Sequence, residues 1–238
     1  NYNILSTFCT KKSNQILNKN IKYLKFDFKI NKNFNKIKEF DPHYILFLTW
    51  SKIPDFSKKQ SHINYISTKR FFKKTTNFKS LKSIIYFGSC LEILKSRLNT
   101  NNYHFVNAKL NLKKYLNNLF YNSSVNVVWL RLFYIYGPYQ RFKSLIPSLI
   151  DSSKKRKIFQ INNPKMKSDF IHIYDVVNIL KIIISSKNVF KLINVKSNLL
   201  FSTGEIANRV NQLFHGIKNK NKIIRFTKPS NYLIPISK

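Results

Sequence analysis

The segment YHFVNAKLNL spans residues 103–112 and places Lys109 four positions after Phe105. On a helix, positions i and i+4 share one face. A tyrosine in the first place would make a proton-transfer pair. The ammonium would stabilise the phenolate and bring its pKa toward neutral pH, as acid–base work requires. Phenylalanine has no proton to give. Tyr103 carries a phenol, but it lies six residues before Lys109. Six helical steps turn roughly 600°, so the two would point to different faces. Tyr103 would reach Lys109 only from a loop, if the helix began at about residue 105.

Apolar spacing predicts the helix that carries this pair over 104–121, with Phe105, Leu110, Leu112, Leu116 and Phe120 as its stripe. A second helical pattern covers 59–79. Runs at 21–26, 43–50, 83–89 and 125–133 read as strands. The middle two are nearly continuous apolar runs, as expected for strands buried on both faces. Strand and helix in turn predict an α/β fold with a parallel sheet. After residue 140 the pattern changes to a short helix at 142–151 and a short strand at 157–161, then a loop containing Pro164. A helix at 174–185 carries Asp175 in its first turn, where a carboxylate suits the macrodipole. A strand at 191–195 follows. Ser202 and Glu205 then form a capping box that opens another helix, and 223–226 reads as a last strand.

Composition narrows the function classes. The chain has 238 residues, 43% of them hydrophobic and 15% aromatic, enough to fill a core. Lys and Arg number 43 against 9 Asp and Glu, a net charge of +34. That charge suggests a nucleic-acid binder. However, lysine outnumbers arginine 36 to 7 and is spread along the whole length. Phosphate and base recognition favours arginine. Abundant Lys, Asn, Ile, Phe and Tyr with four glycines fits drift in an AT-rich coding sequence. Polyanion binding is therefore expected to be non-specific and confined to low salt. Cys9 and Cys90 form neither a metal spacing nor a disulfide framework, which points to a reducing, cytoplasmic setting and no metal. No apolar run approaches the ~18 residues of a membrane span, and no signal peptide is expected.

Several segments, in order, resemble the extended short-chain dehydrogenase/reductase family, the NAD-dependent sugar-nucleotide epimerases, dehydratases and reductases. RLFYIYGPYQ (131–140) is similar to its R-x-x-N-x-Y-G-P-x-Q segment, and SDFIHIYDVV (168–177) to its R-D-F-I-H-V-x-D-V segment. LINV (192–195) and the capped helix after it resemble the next strand and helix. FDF (26–28) resembles the Asp-containing turn after strand three, and YILFLTW the fourth strand. Asn64 with Thr68 fits Asn-x-x-x-Thr in the following helix. YFGSCLEI (86–93) resembles the fifth strand, and its GSC-x-E is similar to reductases and epimerases related to CDP-abequose synthase. The resemblance covers roughly 20–238.

The resemblance implies a fold and a site. The fold would be a Rossmann-like doubly wound parallel sheet lacking the first strand and Gly-rich loop, with a small C-terminal α/β substrate lobe. Residues 1–140 would form the partial NAD(P)-binding domain and 141–238 mainly the lobe, with 168–195 returning to the first. In this family a tyrosine moves a proton to or from a sugar hydroxyl, a lysine one turn later holds the nicotinamide ribose, and a strand-five serine binds the same hydroxyl. Ser89 and Lys109 take two of those places, and Phe105 takes the tyrosine's. Tyr103 is a candidate substitute, and Glu92 a weaker one. The 4,6-dehydratases carry Asp-Glu directly after the Ser/Thr. Cys90 and Leu91 stand there, which counts against dehydratase chemistry. Asp27 and Phe28 would flank the adenine, Lys109 would reach the ribose, and Lys11 and Lys12 would favour a 2′-phosphate. The cofactor is thus NAD or NADP.

For the nucleotide-sugar substrate, Glu92, Tyr134, Lys167 and Ser168 are the candidate contacts. Ser168 stands where the family has an arginine for the pyrophosphate, with Lys167 beside it and Arg141 elsewhere in the lobe. Lysine supplies charge but not a bidentate fork. Gly88, Gly137, Gly204 and Gly216 form no G-x-G-x-x-G. The first strand and phosphate loop are expected upstream of Asn1, or lost. Family members often pair as homodimers through the helices after strands four and five. Three functions remain in play: an epimerase or reductase on a nucleotide-activated sugar, as in polysaccharide biosynthesis; a catalytically silent relative that keeps the fold for binding; and a basic nucleic-acid-binding protein.

Overall fold

The computed structural model of the chain describes residues 2–9, 18–97, 100–216 and 224–226. Its elements, in order, begin with β1 (Ile4–Phe8), β2 (Ile21–Lys25), α1 (Phe34–Phe40), β3 (Tyr44–Phe47), α2 (Lys58–Thr75) and β4 (Ser83–Ser89). A 3-10 helix (Cys90–Arg97), α3 (Thr100–Leu119), β5 (Asn126–Leu132), β6 (Tyr134–Tyr136), α4 (Leu145–Lys154) and β7 (Phe159–Ile161) follow. The chain goes on through β8 (Lys167–His172), α5 (Ile173–Ser185), β9 (Leu192–Val195), β10 (Leu200–Ser202), α6 (Thr203–His215) and β11 (Ile224–Phe226).

Contacts divide the chain into two units: 1–88, 98–130 and 189–193, and 89–97, 131–188 and 194–238. The expected boundary at 140 falls inside the second unit. Of the 168–195 stretch expected to return, 189–193 belongs to the first.

The first unit is built on parallel strands. β1 pairs with β2, and the four-stranded sheet runs β3-β4-β5-β9. Tyr44 through Phe47 pair with Ser83 through Tyr86 in parallel register. In β4 the residues of the IIYF run are all buried, as for a central parallel strand. Phenylalanines tie the layers together. Phe71 of α2 meets Phe26, Phe34 and Phe47, while Tyr86 stacks between Phe47 and Trp129 at 5.5 and 4.5 Å.

α2 starts at Ser57, whose hydroxyl accepts from the Gln60 amide. Its buried Asn64 clamps the loop after β3. The Asn64 carboxamide oxygen accepts from both the backbone N–H and the hydroxyl of Ser51, and its nitrogen donates to the Ser51 carbonyl. Gln60 adds a 2.8 Å bond to the Ser51 hydroxyl.

The second unit holds a three-stranded sheet, β10-β8-β6, and the pair β11-β7. β8 was not expected as a strand. It runs parallel to β6, with Tyr136 opposite His172, and antiparallel to β10. The predicted capping box is present: the Ser202 amide donates to Glu205 at 2.6 Å, and the Glu205 amide to the Ser202 hydroxyl at 3.1 Å. α4, α6 and β7 share a core of Leu149, Ile161, Ala207 and Val210.

Candidate functional site

In the first unit, α3 presents Phe105 and Lys109 inward together. Phe105 is 5% exposed and Lys109 6%. The helix begins at Thr100, several residues before the expected start, so Tyr103 lies inside it rather than in a loop. Tyr103 is 49% exposed and its ring neighbours His104. The helical offset therefore stands, and Tyr103 faces away from the stripe that buries Lys109.

Around Lys109 the surroundings are aromatic. Its ammonium donates to the Phe87 carbonyl at 2.7 Å. It also lies 4.4 Å from the Trp50 ring centroid, 5.1 Å from that of Tyr86 and 5.4 Å from that of Phe105. Phe105 in turn packs edge-on against Trp50 at 5.4 Å and tilted against Phe56 at 4.5 Å. Trp50 drew no attention in the sequence because it closes an apolar run and read as a strand residue.

Asp27 and Phe28 follow β2 directly. The Asp27 carboxylate accepts from the Lys29 amide at 2.9 Å, an Asx turn of its own making. Phe28 is buried, its ring 6.1 Å from that of Phe47. Lys11 and Lys12 lie outside the described residues.

Ser89 belongs to the second unit, at the end of β4. Its amide donates to one oxygen of Glu92 at 2.8 Å, and the other oxygen pairs with Arg131 Nε at 3.0 Å. The Glu92 side chain is fully buried, so its carboxylate ties the start of the 3-10 helix to β5. Arg131 opens the YGP-containing segment, and 39 positions separate it from Glu92. Cys90 beside them is buried, and desolvation pushes its thiol up to about 11. Burial also raises the Tyr134 phenol, with Cys90 adding to the rise.

Adjacent strand residues point to opposite faces. In β8 Ser168 is fully buried and Lys167 exposed, so Lys167 projects from the face opposite Ser168. Lys167 lies near Glu205 instead and helps hold that carboxyl below its ordinary range, after the hydrogen bonds from Ser202. Asp169 is buried and holds the loop before β10: its oxygens accept from the Ser197 amide and hydroxyl and the Asn198 amide.

His172 caps α5 through Nδ1, which accepts from the Tyr174 amide at 3.3 Å. Gly137 has φ +144, and a Cβ there would come within 2.6 Å of Ile173 and 3.2 Å of His172 Nε2. Only glycine permits this close passage of the YGP turn over the helix start. Among the described residues no three His, Cys, Asp or Glu side chains are placed to hold a metal ion. No described helix is long and apolar enough to cross a membrane.

Known proteins share this fold. The model of the NAD dependent epimerase/dehydratase family matches residues 13–195. A curated relative, the ADP-L-glycero-D-manno-heptose-6-epimerase of Brachyspira hyodysenteriae (strain ATCC 49526 / WA1), is 31% identical over 116 residues. That match takes in 45% of this chain and spans only 36% of the relative's length. Among solved structures, a tyrosine-to-phenylalanine mutant of the Bacillus cereus UDP-glucuronic acid 4-epimerase, complexed with UDP-4-deoxy-4-fluoro-glucuronic acid and NAD, superposes with TM-score 0.75 at 18% identity. It covers 90% of this chain and 70% of its own. The Thermotoga maritima UDP-glucose 4-epimerase with UDP-glucose gives TM-score 0.73 at 13% identity, covering 97% of this chain and 79% of its own. At such identities the structural likeness speaks to fold alone, a Rossmann-like parallel α/β architecture. The family match spans well over half the sequence, and the chain belongs to the NAD dependent epimerase/dehydratase family.

Proposed function

We propose that this chain binds a nucleotide-activated sugar as its family does, and that it does not perform the family's tyrosine–lysine proton transfer. One observation carries the reading: Phe105, in the place where the motif has tyrosine, is buried between Trp50 and Phe56. Packed by a ring on either side, Phe105 supplies apolar contact and has no proton to give at the position one turn before Lys109. The UDP-sugars held by the superposed epimerases support a uridine-diphosphate sugar as the ligand class.

NAD is the cofactor that the family implies, and it supplies a hydride acceptor when bound. The residues present fit it in part. Asp27 stands at the turn after β2, where the acid flanking the adenine is expected, while Lys109, the lysine of the motif, is buried. The glycines at 88, 137, 204 and 216 form no phosphate-cradling turn within the 238 residues.

A second reading, an active epimerase or reductase, draws on the motif order and on Ser89, whose backbone is fixed by the Glu92–Arg131 pair. Titration calorimetry with UDP-glucose tests the binding claim. Saturable heat that survives ~0.2 M salt is expected. Heat that vanishes there would reduce the interaction to bare charge and defeat the proposal.

A further inference from the structure

From the box around Lys109 we infer that Trp50 is a fixed plug that withdraws this lysine from any ligand, converting a catalytic-motif ammonium into a structural strut. The inference deepens the reading above and rests on it. Three independent contacts support it, all within the first unit.

The first is the seal. Lys109 is 6% exposed, with Trp50 4.4 Å from its ammonium and Tyr86 and Phe105 completing the ring. Indole is the strongest cation–π partner among the side chains, and desolvation strengthens the attraction. The second is the anchor. Nζ donates to the Phe87 carbonyl at 2.7 Å, so the ammonium is both hydrogen-bonded and enclosed, as a buried charge must be.

The third is the pin. Trp50 is adjacent to Ser51, whose amide, carbonyl and hydroxyl are all held by Asn64 and Gln60 of α2. Those two side chains are themselves buried. The loop carrying Trp50 is therefore fastened to a helix. The indole N–H is buried without an acceptor, so packing over Lys109 and Phe105, not a hydrogen bond, sets its orientation. A ribose hydroxyl seeking Lys109 would have to displace both the indole and the Phe87 carbonyl. Phe105 and Trp50 thus act together: one removes the proton donor and the other closes the space in front of the lysine.

Reductive methylation of the folded chain with formaldehyde and dimethylamine–borane, read lysine by lysine by mass spectrometry, tests this. The other lysines serve as internal references, exposed Lys114 among them. Lys109 is expected to react about a hundredfold more slowly than Lys114, because reaction must await local opening. Trp50→Ala should raise the Lys109 rate at least about tenfold, and Trp50→Leu, which keeps apolar bulk, by less. A native Lys109 rate within a few-fold of Lys114 overturns the inference, as does selective protection of Lys109 by added NAD or UDP-glucose. The native measurement stands even if the variants fail to fold. A failure of UDP-glucose to bind would defeat the functional proposal while leaving the Lys109 rate unchanged, so the two failures are distinguishable.

Discussion

The ring of Phe105 lies 4.5 Å from that of Phe56 and is 5% exposed. Trp50 packs against the same ring at 5.4 Å, so the site is closely filled. Phe105→Tyr adds an atom to that filled site and is therefore expected to destabilise the chain by about 1–3 kcal/mol, the cost of overpacking a buried position. Phe105→Leu should cost less than Phe105→Ala, which opens a cavity. Urea midpoints compared across the three variants give the order. A Phe105→Tyr chain as stable as the native one would mean that a hydroxyl is already provided for.

Glu92 answers both the Ser89 amide and Arg131 from a fully buried side chain. Glu92→Gln leaves Arg131 without its counter-charge. Removing one partner of a buried pair costs about 3 kcal/mol, reduced here because Arg131 keeps some solvent. A fall of about 2 kcal/mol in unfolding free energy is the expected outcome, and a change below about 0.5 kcal/mol would show the pair to be incidental.

Cys90 has its thiol raised from 9.0 to about 11 by burial. The folded chain then holds that proton more tightly than the unfolded one. Stability should be unaffected by this group below about pH 9 and decline as pH rises from there toward 11. Replacing Cys90 with Ala should flatten that decline. At pH 8 a disulfide reagent such as DTNB should modify exposed Cys9 and spare Cys90. Equal labelling of both would contradict the burial of Cys90.

Helix α4 ends in a Schellman motif with arginine in the position glycine usually fills. The Lys157 amide donates to the Ser152 carbonyl and the Arg156 amide to that of Ser153, with Arg156 at φ +51. A left-handed non-glycine residue costs roughly 1–2 kcal/mol, partly offset by glycine's freedom in the unfolded chain. Arg156→Gly should raise the melting temperature by a few degrees. An unchanged or lower value would show that Arg156 is not strained there.

Much of this fold could be read from the chain because its strands are dense apolar runs. SIIYFGS, with its IIYF run fully buried, admits little other reading, and the Ser202–Glu205 box announces α6. Other elements leave no such mark. α1 is a seven-residue helix in an Asn- and Lys-rich stretch and shows no apolar period. β8 hides behind Pro164 because it is short and mixed in polarity, and only pairing with β6 and β10 makes it a strand. The site divides in the same way. Phe105 and Lys109 are one helical turn apart, so spacing placed them on one face. Trp50 reaches them from the loop after β3, and Arg131 reaches Glu92 from 39 positions away. Contacts of that range leave no periodic trace in a single sequence.

The central claim is that this chain retains the family fold without the tyrosine–lysine proton transfer. The most direct measurement is turnover of UDP-glucose by the native chain with NAD, following the sugar by proton NMR and the cofactor by absorbance at 340 nm. The account predicts no new sugar signal and no NADH over hours, in a sample whose UDP-glucose binding has been established by calorimetry. Conversion of the sugar at many cycles per chain would contradict it.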